Sequence, residues 1–79
     1  MSALKRVRSE SFRLRVVPFE GAWKVTFDRD SSNMFWAKAD TIKYARDLAR
    51  LHGLTRIAVC DDHERVTAVI RVQPFLTLP

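Results

Sequence analysis

Alternating apolar and polar positions predict two strands near the start of the chain. In residues 11–17 the apolar side chains stand at every second position with arginines between them, and residues 23–27 repeat the alternation. A period of two is typical of a strand with one buried face. Pro18 and Gly21 lie between the two segments, as expected of a tight turn. The pattern therefore predicts a pair of strands joined by a short connection.

The middle and the end of the chain predict one helix and up to three further strands. Residues 34–36 follow a polar turn and predict a short third strand. Residues 38–52 carry apolar side chains at helical spacing, and Gly53 follows where a left-handed helix cap is expected. Residues 55–60 and 66–72 alternate again, with a polar turn between them.

This order predicts an α+β fold, with an antiparallel sheet of four to five strands and one helix packed on one face. A chain of 79 residues has room for one domain. We assign residues 11–73 to that domain, residues 1–10 to a flexible basic arm, and residues 74–79 to an apolar tail. A single helix covers a single face, so the other face of the sheet is expected to be open.

Two segments, VPFEGAWKV at 17–25 and KADTIKYARDLA at 38–49, resemble a small bacterial family catalogued as domain of unknown function family 2188. Its members have Val-Pro, then Gly-Trp-x-Val, then a helix opening Thr-Lys-x-Glu-Ala with Ala-Arg-x-Leu-Ala further on. The resemblance spans roughly residues 12–72 and implies a fold, but no activity and no catalytic residues. Ala37 replaces the family's threonine, which removes a side-chain N-cap typically worth about 1 kcal/mol.

Positive charge is concentrated at the start of the chain. Lys and Arg together number 14 against 9 Asp and Glu, a formal net charge of +5. Five of these bases and only one acid, Glu10, stand among the first fifteen residues, so the rest of the chain is nearly neutral. Basic proteins often contact nucleic acid or other anionic surfaces.

The open face is predicted to be basic as well. If Phe12, Trp23, Ile57 and Val66 face the helix, the opposite side of the sheet presents six cations and no carboxylate. These six cations are Arg13, Arg15, Lys24, Arg56, Arg65 and Arg71. A face exposed only to water usually mixes charges of both signs, so this face predicts an anionic partner. Alternatively, the arginine stems shield the sheet while their charged heads reach solvent.

The leading functional hypothesis is a non-catalytic module that docks the nucleic-acid backbone without sequence specificity. The six cations would contact phosphates, and the arm would add attraction through Lys5, Arg6 and Arg8. The predicted face lacks exposed aromatic rings for base stacking, so binding is expected to be weak and salt-sensitive.

An alternative hypothesis is protein interaction or homodimerisation. It could use a sheet edge, the open face or the apolar tail, whose candidate contact residues are Phe75, Leu76 and Leu78. An acidic protein would also suit the basic face.

Catalysis, metal binding and cofactor binding are not expected. Cys60 is the single cysteine, which excludes an intramolecular disulfide. His63 stands three residues later, so a thiol–imidazole pair is conceivable, but the favoured interpretation is an inert thiol at a strand end. Gly21 and Gly53 are the only glycines, so no glycine-rich loop could cradle a phosphate. No small-molecule substrate and no membrane partner are predicted. The first residues lack the apolar core of a secretory signal, which predicts a cytoplasmic location.

Overall fold

The computed structural model describes residues 11–73 and places them in two layers, a sheet and one helix. The elements are β1 (Leu14–Phe19), β2 (Ala22–Phe27), β3 (Asp30–Phe35), α1 (Lys38–Leu51), β4 (Arg56–Cys60) and β5 (Val66–Arg71). The predicted α+β fold with five strands and one helix is confirmed. The predicted arm, with Lys5, Arg6 and Arg8, and the predicted tail, with Phe75, Leu76 and Leu78, lie outside these described residues.

The strand order across the sheet is β3-β2-β1-β4-β5. Strands β1 and β2, β2 and β3, and β4 and β5 pair antiparallel, as their short connections predict. The central pair, β1 with β4, is parallel, so the sheet is mixed rather than wholly antiparallel. The reason is that α1 carries the chain back across the sheet to the free side of β1, and a helical crossover delivers a parallel strand.

The main core lies between the sheet and α1. Its buried members come from β1, β2, β4, α1 and the residue that follows β5: Leu14, Val16, Val25, Ala45, Ala49, Ile57, Val59 and Val72. Leu14, Val16, Val25 and Ile57 have no solvent exposure. Complete burial of each such side chain contributes about 1.5–3 kcal/mol.

The ends of α1 behave as the sequence predicts. Ala37 occupies the N-cap position and makes no side-chain cap hydrogen bond. At the other end, the amide of Leu54 donates to the carbonyl of Ala49 at 2.8 Å and the amide of Gly53 donates to that of Arg50 at 3.4 Å. Gly53 has φ +70°, so this is the left-handed cap that a glycine accommodates without strain.

A second apolar cluster lies on the sheet face opposite α1. It comprises Phe12, Val17, Ala58 and Cys60, with Val66 packed against them. The expectation that Phe12 and Val66 face the helix is therefore wrong. Phe12 precedes β1, which begins only at Leu14, so strand alternation does not extend to it. Val66 pairs with Cys60 beyond a register shift in the β4–β5 ladder, and this shift reverses its face.

Candidate anion-binding face

The open face, the side of the sheet opposite α1, has an apolar centre. Val17, Ala58 and Cys60 are buried there and contact Phe12 and Val66. Alternation along the strands places Arg15, Lys24, Arg56 and Arg71 on this side too, because they are in phase with these buried residues. The cations therefore surround a hydrophobic centre instead of forming one continuous basic surface.

Arg13 lies at the end of β1 and is neutralised by a carboxylate of the chain itself. Its Nε is 2.8 Å from Oδ1 of Asp28, and its Nη2 donates to Oδ2 of the same residue at 3.3 Å. The guanidinium also lies 5.2 Å from the ring of Phe27, which packs in the helix-side core. The bidentate ion pair raises the pKa of Arg13 and lowers the pKa of Asp28. Arg13 is thus held at a strand end, with its charge compensated.

Arg65 is also paired, in the turn between β4 and β5. Its Nε lies 3.4 Å from Oδ2 of Asp61. Oδ1 of Asp61 accepts the backbone amides of Arg65 at 2.8 Å and His63 at 2.9 Å. The hydrogen bond from the Arg65 amide is the main reason that the pKa of Asp61 is lowered. This carboxylate organises the turn and compensates the charge of Arg65.

Arg15 lies on β1, the central strand of the sheet, beside the apolar centre of the open face. Its backbone is opposite Thr26 on one side and Ala58 on the other. The side chain is only 16% exposed, and Nη1 lies 4.0 Å from Oε1 of Glu64. Its long stem covers the sheet, as the shielding alternative predicts.

Lys24 is half-buried on the open face and lies far from the exposed cations Arg56 and Arg71. Its ammonium is 4.3 Å from the ring centroid of Phe19, a cation–π contact. Phe19 is 38% exposed, so one aromatic ring does reach this face, contrary to the expectation of none. Strand spacing and rise place Lys24 roughly 16 Å from Arg56.

The remaining two cations, Arg56 and Arg71, form what we call the arginine pair. They are directly opposite each other in the β4–β5 ladder, and both are exposed. Within residues 11–73, no Asp or Glu forms an ion pair with either of them. Like charges directly across two strands destabilise the pairing by up to about 1 kcal/mol. A bound anion would remove that repulsion.

Arg56 is oriented by an aromatic ring and borders a groove. Its guanidinium carbon lies 4.7 Å from the ring centroid of Phe12. A guanidinium stacked on a ring keeps its N–H donors free to point outward in its own plane. The groove has a volume of about 240 Å³ and runs between the chain that enters β1 and the loop between α1 and β4. Its lining residues are Ser11, Phe12, Arg13, Gly53, Leu54, Thr55 and Arg56.

The structure gives Cys60 a structural position. The thiol is buried in the second apolar cluster, and this burial raises its pKa. His63 is exposed in the following turn, where its Nε2 lies 3.7 Å from Oδ1 of Asp62. A protonated, buried thiol is a poor nucleophile. Within residues 11–73, His, Cys, Asp and Glu side chains form no group of three that could hold a metal ion.

Exposed apolar side chains also lie on or next to the two outermost strands. Trp36 is 85% exposed after β3, Met34 is 51% exposed on β3, and Val69 is 43% exposed on β5. Met34 and Val69 belong to the two outermost strands of the sheet. Only knowledge of the strand order, which the alternation pattern does not contain, could have placed them at edges.

No family model, curated protein or solved structure matches this chain. The resemblance to domain of unknown function family 2188 therefore stays an expectation from short motifs. Within the described part of the chain, no helix has the length and apolar character needed to cross a membrane.

Proposed function

We propose that the chain is a non-catalytic binding module whose open face docks an anionic polymer, the phosphate backbone of a nucleic acid being the best fit. The observation that carries the proposal is the arginine pair: Arg56 and Arg71 are exposed, adjacent in register, and without an ion-pair partner in residues 11–73. Arginine binds phosphate oxygens through paired N–H donors, so two adjacent guanidinium groups suit neighbouring phosphates.

The site is narrower than the six-cation face that the sequence predicts. Arg13 and Arg65 already bind carboxylates of their own chain, and Arg15 is mostly buried near Glu64. An external phosphate would have to displace these partners, whereas at the arginine pair it would meet no carboxylate from residues 11–73 as a competitor. We therefore assign the anion contacts to Arg56 and Arg71, with the groove beside Arg56 as a path for the polymer.

The chemistry of this site favours binding without sequence readout. Phosphate contacts position a protein on nucleic acid but carry no base information. Phe19 lies under the ammonium of Lys24, which occupies one side of its ring. Binding should therefore be similar for different base sequences and should weaken steeply as salt concentration rises.

The test is a fluorescence-anisotropy titration of a labelled oligonucleotide at several salt concentrations. Arg56→Gln and Arg71→Gln keep a polar side chain of moderate length but remove the charge. Each substitution should lower affinity and reduce the slope of log K against log salt by about one. Two oligonucleotides of unrelated sequence should give matching results.

The matched controls are Arg46→Gln and Lys43→Gln, which remove the same charge from exposed positions of α1. They change net charge equally but lie on the other side of the molecule, so the salt slope should stay close to that of the unmodified protein. Equal losses in both sets of variants would reject the site. Preference for polyglutamate over the oligonucleotide would replace nucleic acid with an acidic protein as the partner.

A further inference from the structure

We infer that the free edge of β5 is the interface of a two-fold symmetric dimer, in which β5 pairs antiparallel with β5 of a second copy. Strand β5 ends the sheet order, and no strand within residues 11–73 pairs with its outer side. An unpaired strand edge carries backbone donors and acceptors that another strand can satisfy. The two sheets would join into one continuous sheet.

The edge of β5 has few of the features that usually prevent such pairing, and the one register shift in its ladder with β4 lies near its start, between Val66 and Ala68. Its sequence is Val-Thr-Ala-Val-Ile-Arg, with one charge at its end and no proline. Ala68 and Val69 are exposed, and α1 packs mainly against the other four strands. The opposite edge differs, because β3 begins with the polar run Asp-Ser-Ser-Asn. Of the two edges, β5 is the apolar one.

Hydrogen bonds inside the chain identify which groups of β5 point outward. The amide of Val72 donates to the carbonyl of Thr55 at 2.9 Å, so the backbone N–H of Val72 points toward β4. The backbone N–H and C=O groups of successive residues point to alternate sides of a strand, so those of Ile70 and Ala68 also point toward β4. The N–H and C=O groups of Val69 and Arg71 therefore point away from the sheet, as does the carbonyl of Thr67, which is trans to the amide of Ala68.

One register satisfies these outward groups best. When Val69 lies opposite Val69 of the second copy, the two residues exchange a reciprocal pair of N–H···O=C bonds. Arg71 then lies opposite Thr67 of the other copy and can donate its amide to the Thr67 carbonyl. Ala68 lies opposite Ile70 on the helix side, which is an apolar contact. A register centred on Arg71 would oppose two like charges instead, which is unfavourable.

This self-complementarity is the reason for choosing a second copy as the occupant. The two-fold axis at Val69 runs through the sheet from one face to the other, so both open faces end on the same side of the dimer. The Arg71 residues of the two copies would lie about 14 Å apart, four residues along the strands. This consequence rests on the proposed function: two arginine pairs on one surface would bind a polymer with greater avidity than one.

The first measurement is the mass of the full chain by light scattering between about 1 and about 200 µM, a range that covers moderate affinities. We expect a concentration-dependent mass approaching twice the 9.2 kDa of one chain. Val69→Lys places two ammonium groups opposite each other and should give the monomer mass at every concentration. Val69→Thr, which is neutral and β-branched, should keep the dimer. Circular dichroism should show both variants folded.

The second measurement tests the register by cross-linking under mild oxidation. In the proposed pairing, the Cα atoms of opposed residues at position 69 lie about 5.5 Å apart, within the range that a disulfide requires. Val69→Cys should therefore give a covalent dimer, while Arg71→Cys, about 14 Å from its symmetry mate, should not. Cys60 is 2% exposed and should not take part.

A monomer mass throughout the range, a dimer that persists in Val69→Lys, or cross-linking through Arg71→Cys but not Val69→Cys would each overturn the interface. The result of these dimer measurements is independent of the result of the oligonucleotide-binding test. A Val69-centred dimer that does not bind the oligonucleotide would keep the interface and reject anion binding. A monomer that binds the oligonucleotide with a steep salt slope would reject the interface and keep anion binding.

Discussion

Asp61 shows how a single carboxylate can both shape a turn and compensate a cation. It accepts amide hydrogen bonds from His63 and Arg65 and lies 3.4 Å from the Arg65 guanidinium. Glu64, in the same turn, has φ +61°, a conformation that non-glycine residues rarely adopt. The hydrogen bonds to Asp61 hold the backbone in this conformation.

The lowered pKa of Asp61 has a defined consequence for stability. Its pKa in the folded chain lies below the ordinary aspartate value of 3.8, so the ionised carboxylate stabilises the fold above that value. The contribution disappears as pH falls through the folded pKa. Asp61→Asn should therefore be less stable than the unmodified chain at pH 7, and the difference should shrink below about pH 4. Urea denaturation of the two proteins at pH 7 and at pH 3 measures the difference in their free energies of unfolding at each pH.

Asp62→Asn is the control for this prediction. Its carboxylate contacts only the exposed imidazole of His63, at 3.7 Å, among the contacts seen in residues 11–73. Exposed ion pairs of this kind contribute little to the stability of a folded protein. A loss of stability at pH 7 as large as that of Asp61→Asn would show that the turn responds to net charge rather than to the Asp61 hydrogen bonds.

At the scale of the elements, α1 illustrates what a sequence pattern contains. Its start at Lys38, its end near Gly53 and its amphipathic character follow from helical spacing and cap chemistry. Thr41 is fully buried at the first turn and donates its hydroxyl to the carbonyl of Ala37 at 2.9 Å, which spacing alone did not indicate. A short polar side chain fits this site because the backbone supplies its hydrogen-bond partner.

The missing N-cap can be repaired. Ala37 has the extended backbone, φ −102° and ψ 136°, that N-cap residues adopt. Ala37→Ser should raise the free energy of unfolding by about 1 kcal/mol, because its hydroxyl can accept an amide of the first turn. Chemical denaturation measures this, and Ala39→Ser, inside the first turn, should give no gain. An unchanged or lower stability for Ala37→Ser would contradict the capping argument.

Strand β3 shows the limit of alternation. It runs from Asp30 to Phe35, although only its last residues looked like a strand in the sequence. Its polar first half is held by the backbone ladder to β2, and ladders do not require apolar side chains. The register shift at Cys60 is similarly invisible in the sequence, because a bulge changes the phase of Val66 without changing residue types.

At the scale of the whole molecule, the charge pattern was predictable only in outline. Alternation places the cations of the strands on the face away from α1, which follows from the sequence. Whether each cation is compensated depends on contacts between distant positions, such as Arg13 with Asp28, fifteen residues apart. The parallel β1–β4 pair and the β5 edge likewise depend on how the chain crosses the sheet. Within residues 11–73, Arg56 and Arg71 are the adjacent exposed cations that form no ion pair with a carboxylate.

The most direct test of the arginine pair is a two-dimensional NMR titration of the isotope-labelled chain with a short oligonucleotide at low salt. We expect the largest shifts at Arg56, Arg71 and the groove residues 11–13, and we expect them to reverse on adding salt. The exposed face of α1, including Lys43 and Arg46, should remain unchanged. Shifts centred on α1, or none at a concentration where anisotropy reports binding, would contradict this expectation.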